Sequence, residues 1–188
     1  MRILGLHGSL RAGSYNRALA LLAREVAPAG VEVELYEGLG ALPLYDQDLD
    51  QEGVEEPEAV ADLRRRVGEA DALLVVTPEH NGSVSAALKN AVDWLSARHR
   101  GSWLRNKTVA VAGATTGQYG AVWAQQDLRR ILGLAGARVV GPELPVARAQ
   151  QAFDETGACR DPLLAERVRE HVALLAAEAA GERLPAAA

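Results

Sequence analysis

Between an apolar run at Ile3 to Leu6 and a helical pattern at Arg17 to Val26 lies Gly8-Ser9-Leu10-Arg11-Ala12-Gly13-Ser14-Tyr15-Asn16. Small residues, hydroxyls and one arginine gather where a strand would hand over to a helix. A helix N-terminus carries unpaired N–H groups and a partial positive charge, so it seats phosphate. Ser9 and Ser14 offer hydroxyl donors, Asn16 an amide and Arg11 a bidentate cation. The chemistry on offer is the binding of a compact anion. Taken singly, Arg11 is a surface arginine and the two serines are helix caps. Set together as Ser-x-Arg-x-x-Ser-x-Asn after a strand, they read as phosphate ligands, and capping uses the same end of the helix.

The elements that must position this loop alternate along the chain. Arg2 to Leu6 is a short buried strand. Tyr15 to Ala27 carries Ala18, Leu19, Leu22, Ala23 and Val26 at helical spacing. Pro28-Ala29-Gly30 ends that helix. Val31 to Leu35 alternates with period two, as an edge strand does. Glu37 to Glu56 is irregular and acidic, and Pro57 opens a helix that reaches about Glu69. Ala72 to Val76 is continuously apolar, the pattern of a strand covered on both faces. Thr77 to Ser83 is a loop, Val84 to Arg98 a helix, Thr108 to Ala112 a buried strand and Gly113 to Gly120 a glycine-rich loop. A helix at Ala121 to Leu134, a fifth strand at Ala137 to Val140 and a helix at Asp161 to Ala180 follow. There are no repeats and no interdomain linker, so residues 1–180 read as one domain and 181–188 as a frayed tail.

Five strands with intervening helices predict a parallel sheet with right-handed crossovers, order 2-1-3-4-5, inside a three-layer α/β sandwich. Ligands in such sheets bind at the carboxyl ends of the strands, between the first and third. The three unusual loops (Gly8–Asn16, Thr77–Ser83 and Gly113–Gly120) follow strands one, three and four, so all three converge on that edge.

Composition narrows the partners. A net charge of −5 argues against non-specific nucleic-acid binding. No apolar run is long enough to span a bilayer, and no signal-peptide pattern opens the chain, which gives a cytoplasmic expectation with no membrane partner. One cysteine, Cys159, excludes an internal disulfide and a cysteine metal cage. Phe153 is the only phenylalanine, so the core must be largely aliphatic.

Other phosphate motifs fit poorly. A dinucleotide fingerprint needs Gly-x-Gly-x-x-Gly, but Gly8 and Gly13 are five apart and hydroxyls stand where close-approach glycines belong. There is no Walker Gly-Lys-Ser/Thr and no Gly-x-Ser-x-Gly elbow. A terminal phosphate monoester remains.

Three segments together carry a family resemblance. They are Gly-Ser-Leu-Arg-x-x-Ser-x-Asn after strand one, Thr-Pro-Glu-His-Asn-Gly-Ser after strand three and Leu-Lys-Asn-Ala-Val-Asp-Trp in the next helix. The chain resembles the NAD(P)H-dependent FMN reductases, a flavodoxin-like family that includes quinone, azo-dye and chromate reductases. Leu42-Pro43-Leu44-Tyr45-Asp46 resembles the loop before that family's second helix, and the resemblance extends through Leu128-Arg129.

The resemblance implies that Ser9, Arg11, Ser14 and Asn16 hold the FMN phosphate, with Tyr15 contributing backbone. Pro78, Glu79, His80 and Asn81 would line the isoalloxazine and ribityl chain largely through backbone groups. Gly82 and Ser83 would sit near the reactive edge, and Thr115, Thr116 and Gly117 would border the pyrimidine or ribityl side. Two departures concern the substrate side: His80 stands where the family usually has tyrosine, and Ser85-Ala86 where it often has Pro-Gly.

The implied activity is hydride transfer from NADH or NADPH to bound FMN and then to a small-molecule acceptor: a quinone, free flavin, azo compound or metal ion. The implied assembly is a homodimer or homotetramer, with part of the acidic run Asp46 to Glu58 reaching a partner subunit. The alternatives are a flavodoxin-type electron carrier and an FMN-free signalling or scaffold domain. The flavodoxin reading is weakened by Arg11 and by an aromatic content of only 4%.

The remaining polar residues read as structural. His7 is a satisfied residue at the end of strand one, and Glu79 acts through its backbone, since hydride transfer needs no base. Lys89 and Asp93 form a solvated i,i+4 pair, and Trp94 belongs to the core or an interface. His99 and His171 are expected on solvent-facing helical positions.

Overall fold

A computed structural model describes residues 1–97 and 101–181. Strand β1 (Arg2–His7) leads into helix α1 (Tyr15–Glu25), then strand β2 (Glu32–Tyr36). Two 3₁₀ turns precede helix α2 (Glu58–Glu69), strand β3 (Ala72–Thr77) and helix α3 (Ala86–Ser96). Strand β4 (Thr108–Ala114), helix α4 (Val122–Leu134), strands β5 (Arg138–Val139) and β6 (Leu144–Val146), helix α5 (Ala149–Ala152) and helix α6 (Pro162–Ala179) complete the chain.

The strands are parallel in the order β2-β1-β3-β4-β5, the flavodoxin-like arrangement read from the sequence. Where one fifth strand was expected at Ala137 to Val140, the edge holds two short strands. Both pair with β4, β5 at Thr108 and Val109 and β6 at Ala112 to Ala114. Between them Gly141 adopts φ 64° and Pro142 has no N–H to donate, so the ladder breaks there. The short helix α5 was also not anticipated.

Side-chain alternation sorts the sheet into two cores. Ile3, Leu74, Val76, Ala110, Ala112 and Ala114 face α1 and α6. Leu4, Leu6, Leu73, Val75, Val109 and Val111 face α2, α3 and α4. On β4 every residue of the first set is alanine, which lets α1 and α6 pack close to the sheet. Trp94 is the largest fully buried side chain and lies in the second core.

Helix boundaries follow local capping. Pro57 is the N-cap of α2, one residue before the helix, where an opening position inside it was expected. Ser85 caps α3 by accepting from Leu88 N–H at 3.4 Å, so this departure from the family pattern supplies a cap. Asp161 accepts from both Leu163 and Leu164 N–H at the start of α6.

His171 corrects the sequence reading. It is buried on the face of α6 that also buries Leu164, Val168, Val172 and Leu175. Those positions are spaced as one helical stripe, and histidine falls inside it. Its Nε2 has no hydrogen-bond partner among the described residues, and burial pushes its pKa down from 6.5 to about 4. Arg98, His99 and most of the expected tail, 182–188, lie outside the described residues.

The acidic segment holds an unexpected anchor. Arg64 of α2 is 2% exposed and donates to Asp50, to Glu56 and twice to the Trp94 carbonyl. The run read as a solvated or interfacial loop is thus pinned at its centre by a buried cation.

Candidate functional site

The first loop leaves the sheet where β1 ends. Gly8 N–H donates to the Val76 carbonyl at 2.9 Å. A Cβ on Gly8 would lie 2.5 Å from both Leu88 Cδ1 and Ser85 Oγ, so glycine is required by the approach of α3. Ser14 then caps α1, its Oγ accepting from Arg17 N–H at 3.2 Å and its carbonyl from Ala18 N–H at 2.9 Å. The N–H groups of Tyr15 and Asn16 have no hydrogen-bond acceptor among the described residues, and the first turn carries no acid.

Arg11 is exposed and lies over the Tyr15 ring at 5.6 Å. No carboxylate among the described residues pairs with it. With Ser9 half-buried beside it, the loop presents a cation, hydroxyls and main-chain donors: the donor set for an anion.

Asn16 behaves differently from the sequence expectation. Its side chain is buried, donates from Nδ2 to the Ala114 carbonyl at 3.0 Å and accepts at Oδ1 from Ala114 N–H at 2.9 Å. The amide that was expected to meet phosphate instead joins the start of α1 to the end of β4.

Glu37, after β2, braces the loop from the other side. It accepts from Arg17 Nε and from His7 Nε2, each at 2.9 Å. The Arg17 hydrogen bond holds its carboxyl below the usual range, with desolvation opposing and His7 adding in the same direction. His7 is therefore a satisfied structural residue, its Nδ1 lying 3.3 Å from the Ser9 carbonyl.

After β3, Pro78 is buried and its carbonyl accepts from Thr77 Oγ1 at 2.7 Å. His80 and Ser83 exchange main-chain hydrogen bonds of 3.0 and 3.1 Å. Asn81 and Gly82 between them take φ 52° and 75°, so Asn-Gly forms a two-residue hairpin turn with both residues left-handed. Glu79 directs its carboxylate into α4, where it accepts from Trp123 and Ala124 N–H at 3.1 and 3.2 Å. Ser83 Oγ donates to Asp127 Oδ2 at 2.7 Å.

After β4, Thr115 N–H donates to Val146 and the Thr115 carbonyl accepts from Ala149 N–H, both at 3.0 Å. Gly117 N–H reaches Thr115 Oγ1 at 3.3 Å, while the Gly117 carbonyl accepts from Arg148 N–H at 2.9 Å. Thr116 and Gly117 are exposed. The buried Gln125 amide ties this loop down, donating to the Gly120 carbonyl at 2.9 Å and accepting from Leu144 N–H at 3.0 Å.

The parallel sheet thus brings the three loops to its carboxyl edge. The residues that the sequence reading missed are the braces: Gln125, Asp127 and the side-chain roles of Asn16 and Glu79. Gln125 stood within an otherwise apolar helical face (Ala121, Ala124, Leu128, Leu132), and that was its only signal. A cavity of about 680 Å³ lies beside Tyr45, Asp50, Gln51 and Asp93, away from these loops, and one of about 350 Å³ lies between Arg11–Tyr15 and Asp154–Gly157. Among the described residues no helix is long and apolar enough to cross a membrane, and no cluster of acidic, histidine or cysteine side chains could hold a metal ion.

The chain is similar to known proteins. The sequence profile of a family described as NADPH-dependent FMN reductase matches residues 1–151. An NAD(P)H-dependent FMN reductase of Pseudomonas aeruginosa is 37% identical over 176 residues, covering 93% of each chain. A quinone reductase of Escherichia coli K12 is 38% identical over 160 residues, covering 84% of each. The solved structure of a flavoenzyme NAD(P)H:(acceptor) oxidoreductase from Paracoccus denitrificans superposes with a TM-score of 0.78 at 30% identity. That match covers 93% of this chain and 97% of the other.

Proposed function

The chain belongs to the NADPH-dependent FMN reductase family, and from that premise we propose that it is an FMN-dependent NAD(P)H oxidoreductase that reduces quinones. The carrying observation is the first loop: two helix N–H groups without an acceptor and an Arg11 without a carboxylate partner among the described residues lie with Ser9 at one edge of the sheet. This donor set fits the dianionic phosphate of FMN. Ser9, Arg11, Ser14 and the main chain of Tyr15 and Asn16 hold that phosphate. The flavin ring follows the edge between the 78–83 segment and Thr115 to Gly117.

When bound, FMN supplies the two-electron chemistry that links a nicotinamide donor to an acceptor. The chain supplies position. The hairpin at Asn81-Gly82 exposes main chain with no side chain over the glycine, which leaves room for a flat ring. Trp123 and Ala124 occupy the Glu79 carboxylate, so it is not a free base. Proximity of donor and acceptor at the ring is then the main catalytic effect. Free flavin, azo compounds and metal ions are further acceptors under this reading. It also makes residues 1–180 one FMN-binding unit within a homodimer or homotetramer. The largely exposed Leu44, next to the clamped acidic segment, supports a partner contact there.

The test is a visible spectrum of the purified protein, followed by NADH and NADPH oxidation with a benzoquinone acceptor. A flavin spectrum and quinone-dependent turnover are expected. A bound flavin without nicotinamide oxidation would point to an electron carrier. A protein that neither carries FMN nor gains thermal stability from it would overturn the assignment.

A further inference from the structure

Helix α4 begins without a cap of its own. Ala121 precedes it at φ 60°, a left-handed conformation for a residue with a Cβ, and no local side chain meets the first N–H groups. The missing acceptor comes from another loop: Glu79 Oε2 takes the hydrogen bonds of Trp123 and Ala124. A carboxylate at this position also meets the positive end of the helix. One turn further along, Asp127 takes the Ser83 hydroxyl.

The two links stand at the two feet of the hairpin. Glu79 enters it and Ser83 leaves it, so the Asn81-Gly82 turn is clamped to α4 on both sides. The start of α4 is continuous with Tyr119 and Gly120, where the loop after β4 ends, and Gly120 is packed against Pro145 and Val146. A carboxylate is therefore the bridge between the two loops that border the ring.

We infer that Glu79 is a positioning residue: its side chain caps α4 from the neighbouring loop and fixes the spacing of the slot that takes the isoalloxazine. This role rests on the FMN reading given above. Glu79→Ala removes the one acceptor that both N–H groups share. Glu79→Gln keeps an amide oxygen that can accept from the same N–H groups while losing the charge, so it should restore most of the clamp.

The experiment measures FMN affinity by flavin fluorescence quenching, the absorption band of bound flavin, and amide exchange at Trp123 and Ala124 in FMN-free protein. E79A should bind FMN about tenfold more weakly, with a band shifted towards that of free FMN and faster exchange at both amides. E79Q should recover most of each change. Arg11→Ala should weaken FMN binding while leaving exchange at Trp123 and Ala124 as in the wild type. If E79A does not fold, Asp127→Ala, which frees the Ser83 hydroxyl from α4, tests the other foot of the hairpin by FMN affinity and the absorption band. Wild-type affinity and spectrum in E79A, or in D127A in its place, would overturn the role of the clamp alone. A wild-type protein that does not bind FMN would overturn the functional reading, and the positioning role with it.

Discussion

Asn16 and Ala114 exchange two hydrogen bonds across 98 residues of sequence, 3.0 Å from Asn16 Nδ2 to the Ala114 carbonyl and 2.9 Å from Ala114 N–H to Asn16 Oδ1. The pair is buried and ties the first turn of α1 to the last residue of β4. Two loops of the candidate site are held in register by one amide. Asn16→Ala should leave the Ala114 main chain without both partners and cost about 3 kcal/mol. Urea unfolding would measure this, and a loss below about 1 kcal/mol would show that the brace is dispensable.

Arg11 tests the anion site separately from the fold. It is exposed and has no ion pair among the described residues, so Arg11→Ala should leave the unfolding midpoint nearly unchanged. FMN affinity should fall by about tenfold to a hundredfold, as for the loss of a charge-assisted hydrogen bond. Titration of the FMN-free protein would show it; equal affinity would place the phosphate elsewhere.

Arg64 should be among the costliest single positions. It links Asp50 and Glu56 to the Trp94 carbonyl, and both Arg64 and Asp50 are 2% exposed. Arg64→Met should destabilise by about 3–5 kcal/mol because a buried carboxylate loses its cation. Combining it with Asp50→Asn should recover part of that loss. Limited proteolysis should show new cleavage between residues 47 and 57 in the single variant, and a protease-resistant segment would count against the clamp.

His171 predicts an acid-dependent loss of stability. Burial is the main cause of its depressed pKa of about 4, the positive charges of Arg129 and Arg167 add to it, and a hydrogen bond to the Val111 backbone opposes it. The folded value lies below the unfolded one, so the neutral ring favours folding. That contribution is full above about pH 6.5 and is lost as pH falls towards about 4, on the order of 3 kcal/mol in total. His171→Leu should flatten the stability profile in this window. The Glu37 carboxyl, also depressed, loses its contribution at lower pH, beneath the usual carboxylate range. An unchanged slope between pH 6.5 and 4 in His171→Leu would remove His171 as the cause.

The legible parts of the molecule were those governed by local periodicity. Continuous apolar runs at Ala72 to Val76 and Thr108 to Ala112 marked buried parallel strands, because both faces of such strands are covered. The Ser-x-Arg-x-x-Ser-x-Asn loop marked a helix start that could receive an anion, and two N–H groups there have no acceptor among the described residues. The split edge was less legible, because β5 has only two residues and β6 follows a Gly-Pro break.

Residue types and spacing determined the α/β class, the strand order and the edge at which three loops would meet, since hydrophobic pattern and crossover handedness leave few alternatives. They did not determine which polar groups face a ligand and which are spent inside the protein. Asn16 looked like a ligand and proved to be a brace; Glu79 offered only its backbone and proved to cap a helix that starts 43 residues later. Arg64, within a charged run, became the centre of a buried cluster. Such partners lie far apart in the chain, and a hydrogen bond's geometry is set only when the folded sheet brings donor and acceptor within about 3 Å. That pairing was the part decided by the tertiary structure alone.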